Sequence, residues 1–172
     1  MKLTGLIVLF FLSILYANWL TLVRYDFSGK RELVRIDMPV PDAKLPLYGE
    51  TGTLELPQSP AVLVVFGSWC TPCRKELPAL KKLSDRKDMP FIGLALRDST
   101  EKLSRLFAKT PNPFDRIAID KAGEWAKPLR AYFVPATYLT DGKGKVVYEI
   151  RGEITEDYYT SVILPKYREL TQ

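Results

Sequence analysis

The stretch from residue 61 to residue 86 constrains the fold more than any other part of the chain. Ala61–Gly67 reads AVLVVFG, a continuous β-branched run that is typical of a strand buried on both faces of a sheet. Over residues 71–86 the apolar positions recur at i, i+4 and i+7 from Cys73 onward, with charged residues between them. This spacing predicts an amphipathic helix, bent at Pro78, where the backbone donor is missing. A buried strand therefore leads at once into a helix.

Both cysteines of the chain, Cys70 and Cys73, lie at this junction. Two cysteines in the first turn of a helix can close a small disulfide ring, and the free N–H groups and dipole of the helix stabilise a thiolate. We therefore predict Cys70 as the nucleophile and Cys73 as the resolving cysteine of a redox pair. An inert structural disulfide is the alternative. Since the chain has two cysteines and no histidine, we predict neither a metal site nor a cofactor.

The residues from Leu3 to Val23 carry no charge. A bilayer core requires roughly 20 apolar residues in a helix, so we predict one N-terminal transmembrane helix over residues 1–23, as an anchor or uncleaved signal. A signal peptide cleaved near Ala17 is the alternative. The net charge of +5 is spread along the chain without a basic, aromatic-rich block, and nucleic acid is not a predicted partner.

After the predicted helix, residues 24–38 are interpreted as a linker and residues 39–172 as one domain. The predicted order is β-α-β-α, a short β/α passage, and β-β-α, which gives an α/β three-layer sandwich with a mixed central sheet. The further predicted strands are a short one near Thr53–Leu56, then Phe91–Leu96, Arg116–Ile119, Ala136–Thr140 and Lys145–Ile150. The further predicted helices begin at Asp98 or Ser99, span Gly123–Ala131, and run from Thr155 to about Leu170.

Two segments resemble the thioredoxin superfamily, and within it the membrane-anchored TlpA/ResA/CcmG group. The first is VVFGSWCTPCRKELPAL, in which Pro78 matches the proline that kinks the active-site helix. The second is VPATYLTDGKGKVVYEIRG. The resemblance implies a thioredoxin-like fold in which Pro135 is a cis-proline that packs beside the Cys70 sulfur.

The resemblance also implies roles for the neighbouring residues. Thioredoxin has a buried aspartate where this chain has Val64, so the proton acceptor for Cys73 must come from elsewhere. Glu76 matches the glutamate of the C-x-x-C-x-x-E pattern, and a raised pKa would let it take that proton; a solvated helix acid is the alternative. Trp69 is expected to shield the disulfide and Pro72 to tune its redox poise. Clients are expected to contact Trp69, Thr71, Pro72 and Val134.

The function implied is an exported thiol–disulfide oxidoreductase that reduces a client protein with a cysteine pair, apocytochrome c being the suggested client. The expected electron donor is a membrane protein of the DsbD/CcdA type. The expected location is the inner membrane, crossed once, with the catalytic domain on the periplasmic side. The alternatives are a DsbA-like oxidant, a peroxiredoxin-type peroxidase and a non-catalytic thioredoxin-fold binding module.

Overall fold

The computed structural model describes Ser13 and residues 31–172, and residues 31–172 form one compact unit. Within these residues no helix has both the length and the apolar character that crossing a bilayer requires. The transmembrane helix predicted over residues 1–23 lies, except for Ser13, outside the described residues.

Six strands form one mixed sheet, in the order β1-β6-β5-β2-β3-β4. Strands β2, β3 and β4 are parallel, whereas β5, β6 and β1 pair in antiparallel fashion from β2 outward. The mixed sheet predicted from the sequence is confirmed. The strands are β1 Glu32–Pro39, β2 Ala61–Phe66, β3 Phe91–Leu96, β4 Arg116–Asp120, β5 Ala136–Thr140 and β6 Lys145–Arg151.

The helices begin where side chains can accept hydrogen bonds from the free backbone N–H groups of the first turn. Cys70, Ser99 and Thr155 are the three N-cap residues that do so. The helices are α1 Thr71–Ser84, α2 Thr100–Phe107, α3 Glu156–Tyr158, a π-helical turn Tyr159–Ile163, and α4 Leu164–Leu170. Helix α1 confirms the predicted amphipathic pattern, since its buried positions face the sheet, and α2 begins after Ser99 as predicted.

The core has two halves, one on each face of the sheet. On one face the buried side chains of α1, α2 and the C-terminal helices pack on Val62, Val64 and Phe66 of β2. On the other face Leu63 and Val65 pack against irregular segments over residues 43–56 and 125–131. Every residue of β2 is buried, as its unbroken apolar run predicts. Because β2 lies between β5 and β3 in the sheet, the helix that follows β2 also begins at a central position.

The interpretation of residues 24–38 as a linker is wrong for its second half. Strand β1 pairs with β6 at the edge of the sheet, and its register shifts between Arg35 and Met38, where Asp37 has a φ of 47°. As an edge strand, β1 has no fully buried residue: Leu33 packs on one half of the core, and Ile36 and Met38 pack on the other. The strand predicted near Thr53–Leu56 is reduced to one isolated bridge between Thr53 and Pro46.

Two helix predictions also need correction. Residues 124–130 form consecutive turns instead of the helix predicted over 123–131, because Pro128 has no N–H to donate. The buried Asp120 carboxylate accepts the N–H groups of residues 124–126. The C-terminal helix contains a π turn where Thr160 and Ser161 hydroxyls bond to backbone carbonyls one turn earlier.

Candidate active site

The two sulfurs meet at the point where β2 ends and α1 begins. Cys70 has an extended backbone, with φ −85° and ψ 112°, and its Sγ accepts a hydrogen bond from the Cys73 N–H at 3.2 Å. The two residues form a disulfide, with their Cα atoms 5.3 Å apart. Both are buried, whereas Thr71 and Pro72 between them are exposed. The first sulfur therefore lies at the positive end of the helix, where a thiolate is stabilised.

The loop before β5 lies beside this disulfide. The Val134–Pro135 peptide bond is cis, as the resemblance implies. The carbonyl oxygen of Val134 lies 3.5 Å from Cys70 Sγ. The fold thus brings Val134 and Pro135 to the sulfur of Cys70, although they lie more than sixty residues away along the chain.

A tight turn precedes Cys70, closed by a hydrogen bond of 3.0 Å from the Cys70 N–H to the Gly67 carbonyl. The Trp69 indole folds back over Gly67, where an added Cβ would lie 2.6 Å from the ring. The indole N–H donates to the Leu96 carbonyl at 2.9 Å, and the side chain stays 49% exposed. Trp69 is therefore held in place next to the disulfide while one surface remains open to solvent.

Asp98 contacts this turn and is not among the site residues predicted from the sequence, where it was expected only as a possible helix cap. One carboxylate oxygen accepts the Ser68 N–H at 2.6 Å, and the other accepts the Ser68 hydroxyl at 2.8 Å and the Ser99 N–H at 3.0 Å. The side chain is 4% exposed. Its position just after β3 is the one signal in the sequence, since parallel β2 and β3 end at the same edge of the sheet.

Glu76 lies one turn after Cys73 and is half-buried. Burial raises the pKa of the Glu76 carboxyl; the Ile154 N–H opposes this rise, and the charge of Glu153 adds to it. Its Oε2 is buried and has no hydrogen-bond partner among the described residues. Val64, fully buried in β2, is aliphatic and provides no proton acceptor. The environment of Glu76 is thus that of a carboxylate able to accept a proton.

Glu76 lines a cleft of about 530 Å³ next to the disulfide. Its walls include Pro72, Phe133 and Pro135. Phe133 is 88% exposed and Tyr132 is 75% exposed, which is unusual for large apolar side chains. Neither residue is among the client-contact residues predicted from the sequence, although two successive aromatic residues stand directly before Val134 and Pro135.

Comparisons with known proteins agree with this geometry. The Redoxin family profile matches residues 36–163, about three quarters of the chain. The chain belongs to the Redoxin family. It is 30% identical over 145 residues to the thiol:disulfide interchange protein DsbE of Haemophilus influenzae, covering 82% of this chain and 80% of that protein.

Two further comparisons extend this result. The chain is 35% identical over 116 residues to DsbE-2 of Pasteurella multocida, a probable thiol:disulfide interchange protein, covering 67% of this chain and 61% of that protein. A crystal structure of a DsbE protein from Chlorobium tepidum matches with a TM-score of 0.64 at 23% identity, covering 82% of this chain and all of that one. The structural likeness shows the thioredoxin-like fold. Within the Redoxin family, this chain is a DsbE-like thiol–disulfide oxidoreductase.

Proposed function

We propose that this Redoxin-family protein reduces disulfides of client proteins outside the cytoplasm, tethered by a helix within residues 1–23. The observation that carries the proposal is the Cys70–Cys73 disulfide at the start of α1, with the Val134 carbonyl 3.5 Å from Cys70 Sγ. This arrangement has the two sulfurs that exchange requires and an open loop against which a client chain can lie.

The reaction begins from the dithiol form. The Cys70 thiolate attacks one sulfur of the client disulfide, and the other client sulfur leaves as a thiolate and takes a proton. The Cys73 thiol then loses its proton and attacks Cys70 Sγ, which releases the second client sulfur. Two electrons pass to the client, and the protein is left with the Cys70–Cys73 disulfide that the structure contains. A membrane donor of the DsbD/CcdA type would return it to the dithiol.

Glu76 is proposed as the group that takes the Cys73 proton. Its raised pKa brings a carboxylate closer to the pKa of a thiol, so that proton transfer is less unfavourable. The unpartnered Oε2 offers a free acceptor site. At the position in β2 where thioredoxin has a buried aspartate, this chain has Val64, which does not titrate.

The client is proposed to lie across Trp69, Thr71, Pro72 and Val134, with Tyr132 and Phe133 extending the same surface. A client sulfur bonded to Cys70 must lie next to the Val134 carbonyl, and the aromatic pair is contiguous with that residue. Exposed aromatic side chains bind apolar segments of a partner at low entropic cost. Apocytochrome c is the proposed client, on the strength of the resemblance to the TlpA/ResA/CcmG group.

A trapping experiment tests the division of labour between the cysteines. Cys73→Ser should accumulate mixed disulfides with clients, because no second thiol resolves them. Cys70→Ser should accumulate none, because the buried Cys73 sulfur is one turn inside the helix. Non-reducing electrophoresis followed by identification of the trapped proteins provides the measurement. Equal trapping by the two variants would contradict the assignment.

The direction of electron flow requires a separate measurement. The equilibrium of the pair with a glutathione series gives its reduction potential. A reductant should have a potential nearer to that of thioredoxin, about −270 mV, than to that of DsbA, about −120 mV. A value near that of DsbA would assign the protein to the oxidants instead.

A further inference from the structure

We infer that Asp98 is a positioning residue that sets the turn before Cys70 and tunes the thiolate of Cys70. The inference rests on the proposed function, since it concerns the same sulfur. Among the described residues, Asp98 and Asp120 are the two buried acidic side chains. Asp120 serves the backbone of residues 124–126, whereas Asp98 reaches the strand-to-helix turn of the redox pair.

The hydrogen bonds of the Asp98 carboxylate show which groups of the turn its side chain holds in place. The N–H groups of Ser68 and Ser99 can only donate, so both carboxylate oxygens act as acceptors. The Ser68 hydroxyl adds a third contact at 2.8 Å. Ser68 is two residues before Cys70, so the side chain of Asp98 fixes the backbone that carries the nucleophile.

Two other contacts show that the turn is held from both sides. From the β3–α2 junction, the Leu96 carbonyl accepts the Trp69 indole N–H at 2.9 Å. From α1, the Arg74 guanidinium donates to the Ser68 carbonyl at 2.9 Å and to the Thr71 hydroxyl at 3.1 Å. Among the groups that hold this turn, Asp98 is the one that is both buried and charged.

The charge of Asp98 has a second consequence. A buried anion that is hydrogen-bonded to Ser68, two residues before Cys70, opposes formation of the Cys70 thiolate, and burial limits the screening of that opposition. Other charged groups around the pair include Arg74, which is exposed and favours the thiolate. The cleft lining adds further charged residues of both signs: Lys75, Glu76, Arg130, Glu149, Arg151 and Glu153. Asp98 therefore counteracts the helix N-terminus and keeps the pKa of the Cys70 thiol higher than the helix alone would give.

The test compares Asp98→Asn with the parent in the full chain. Asn keeps one carbonyl oxygen for the Ser68 N–H and removes the charge. We expect the pKa of Cys70 in the reduced protein to fall by about half a unit or more, read from thiolate absorbance against pH. The dithiol should be stabilised at least about threefold against glutathione, a shift of about 15 mV toward oxidising potentials.

Asp115→Asn is the matched control. Asp115 accepts the Phe91 N–H at 2.9 Å at the opposite end of β3, so its loss affects the same strand away from the sulfurs. Both variants are expected to lose some stability, and only Asp98→Asn should shift the Cys70 pKa. Asp98→Ala, which removes the charge and the acceptors together, should shift it in the same direction.

The outcomes separate this inference from the proposed function. If the parent exchanges disulfides but Asp98→Asn and Asp98→Ala leave the Cys70 pKa and the glutathione equilibrium unchanged, the role of Asp98 is structural and the inference is overturned. A shift of equal size in Asp115→Asn overturns it as well. A parent protein that exchanges no disulfide overturns the proposed function, and this inference with it.

Discussion

At the scale of single residues, the site combines positions that the sequence identifies with one that only the fold explains. Cys70 and Cys73 are identified by their spacing at a strand-to-helix junction, and the structure pairs them. Glu76 is recognisable by its place one turn later. Asp98 is not, because its contact with Ser68 spans thirty residues of sequence and depends on the alignment of β2 with β3.

Glu76→Gln should slow disulfide reduction near pH 7 by roughly a hundredfold, because it keeps the shape of the side chain and removes the base. The loss should become smaller at high pH, where hydroxide and buffer deprotonate Cys73 without help. Stopped-flow reduction of a model disulfide as a function of pH measures both effects. Equal rates for variant and parent would make Glu76 an ordinary helix acid.

The same variant has a thermodynamic control. Burial raises the pKa of Glu76 in the folded protein above the unfolded value of about 4.3, so the folded state holds the proton more tightly. The stability that this proton contributes is complete below the unfolded pKa and is lost as pH rises through the folded pKa. Gln does not titrate, so the variant should gain stability relative to the parent as pH rises above about 4.3. Urea unfolding over that range measures the difference.

At the scale of secondary-structure elements, strongly patterned segments were predictable and context-dependent ones were not. The apolar runs of β2 and β3 and the amphipathic face of α1 carry their own signal, and all three appear in the structure. Strand β1 carries a weaker signal, because Arg35, Ile36, Asp37 and Met38 alternate over a short stretch, none of them is fully buried, and the pairing with β6 lies more than a hundred residues away. The predicted helix over 123–131 fails because Pro128 lacks the N–H that a helical hydrogen bond to residue 124 would use, although the Asp120 carboxylate accepts the N–H groups of residues 124–126 as a helix cap would.

Strand β1 yields a test of the domain boundary. A fragment of residues 31–172 should be more stable than one of residues 40–172 by about 2–3 kcal/mol, because the shorter fragment lacks the ladder to β6 and the partly buried Leu33, Ile36 and Met38. Urea unfolding of the two oxidised fragments provides the comparison. Equal midpoints and slopes would restore the boundary at residue 39 that we predicted from the sequence.

The turn between β5 and β6 allows a paired glycine test. Gly142 has a φ of 70°, and an added Cβ would lie 2.5 Å from the Ser59 backbone carbon. Gly144 has a φ of 90° and open space around it. Gly144→Ala should therefore cost only about 1–2 kcal/mol of conformational strain, whereas Gly142→Ala adds a clash with backbone worth a further 1–3 kcal/mol. Thermal unfolding ranks the two variants, and the reverse ranking would show that the β5–β6 turn does not pack on Ser59.

At the scale of the whole molecule, residues 31–172 contain the redox site, and the proposed anchor within residues 1–23 would set where that site works. The compact unit contains the disulfide, the cis-proline loop and the cleft. The side chains of Trp69, Tyr132 and Phe133 are exposed, as the proposed contact with an apolar segment of a client requires. The predicted anchor would determine in which compartment the domain meets its clients. An experiment on the full chain tests that prediction.

The anchor prediction rests on the uncharged run from Leu3 to Val23, whose length suits a bilayer core. The 172-residue protein should stay in the membrane fraction through an alkaline carbonate wash, which strips proteins held by charge alone. Leu9→Lys combined with Leu12→Lys places two charges at the centre of the run, where each costs about 2.5–3.5 kcal/mol, and should release the protein. A reporter fused after Gln172 should be active only outside the cytoplasm. A soluble mature chain that begins near Asn18 would show instead that a signal peptide is cleaved, and the redox domain would then meet its clients and its electron donor by diffusion.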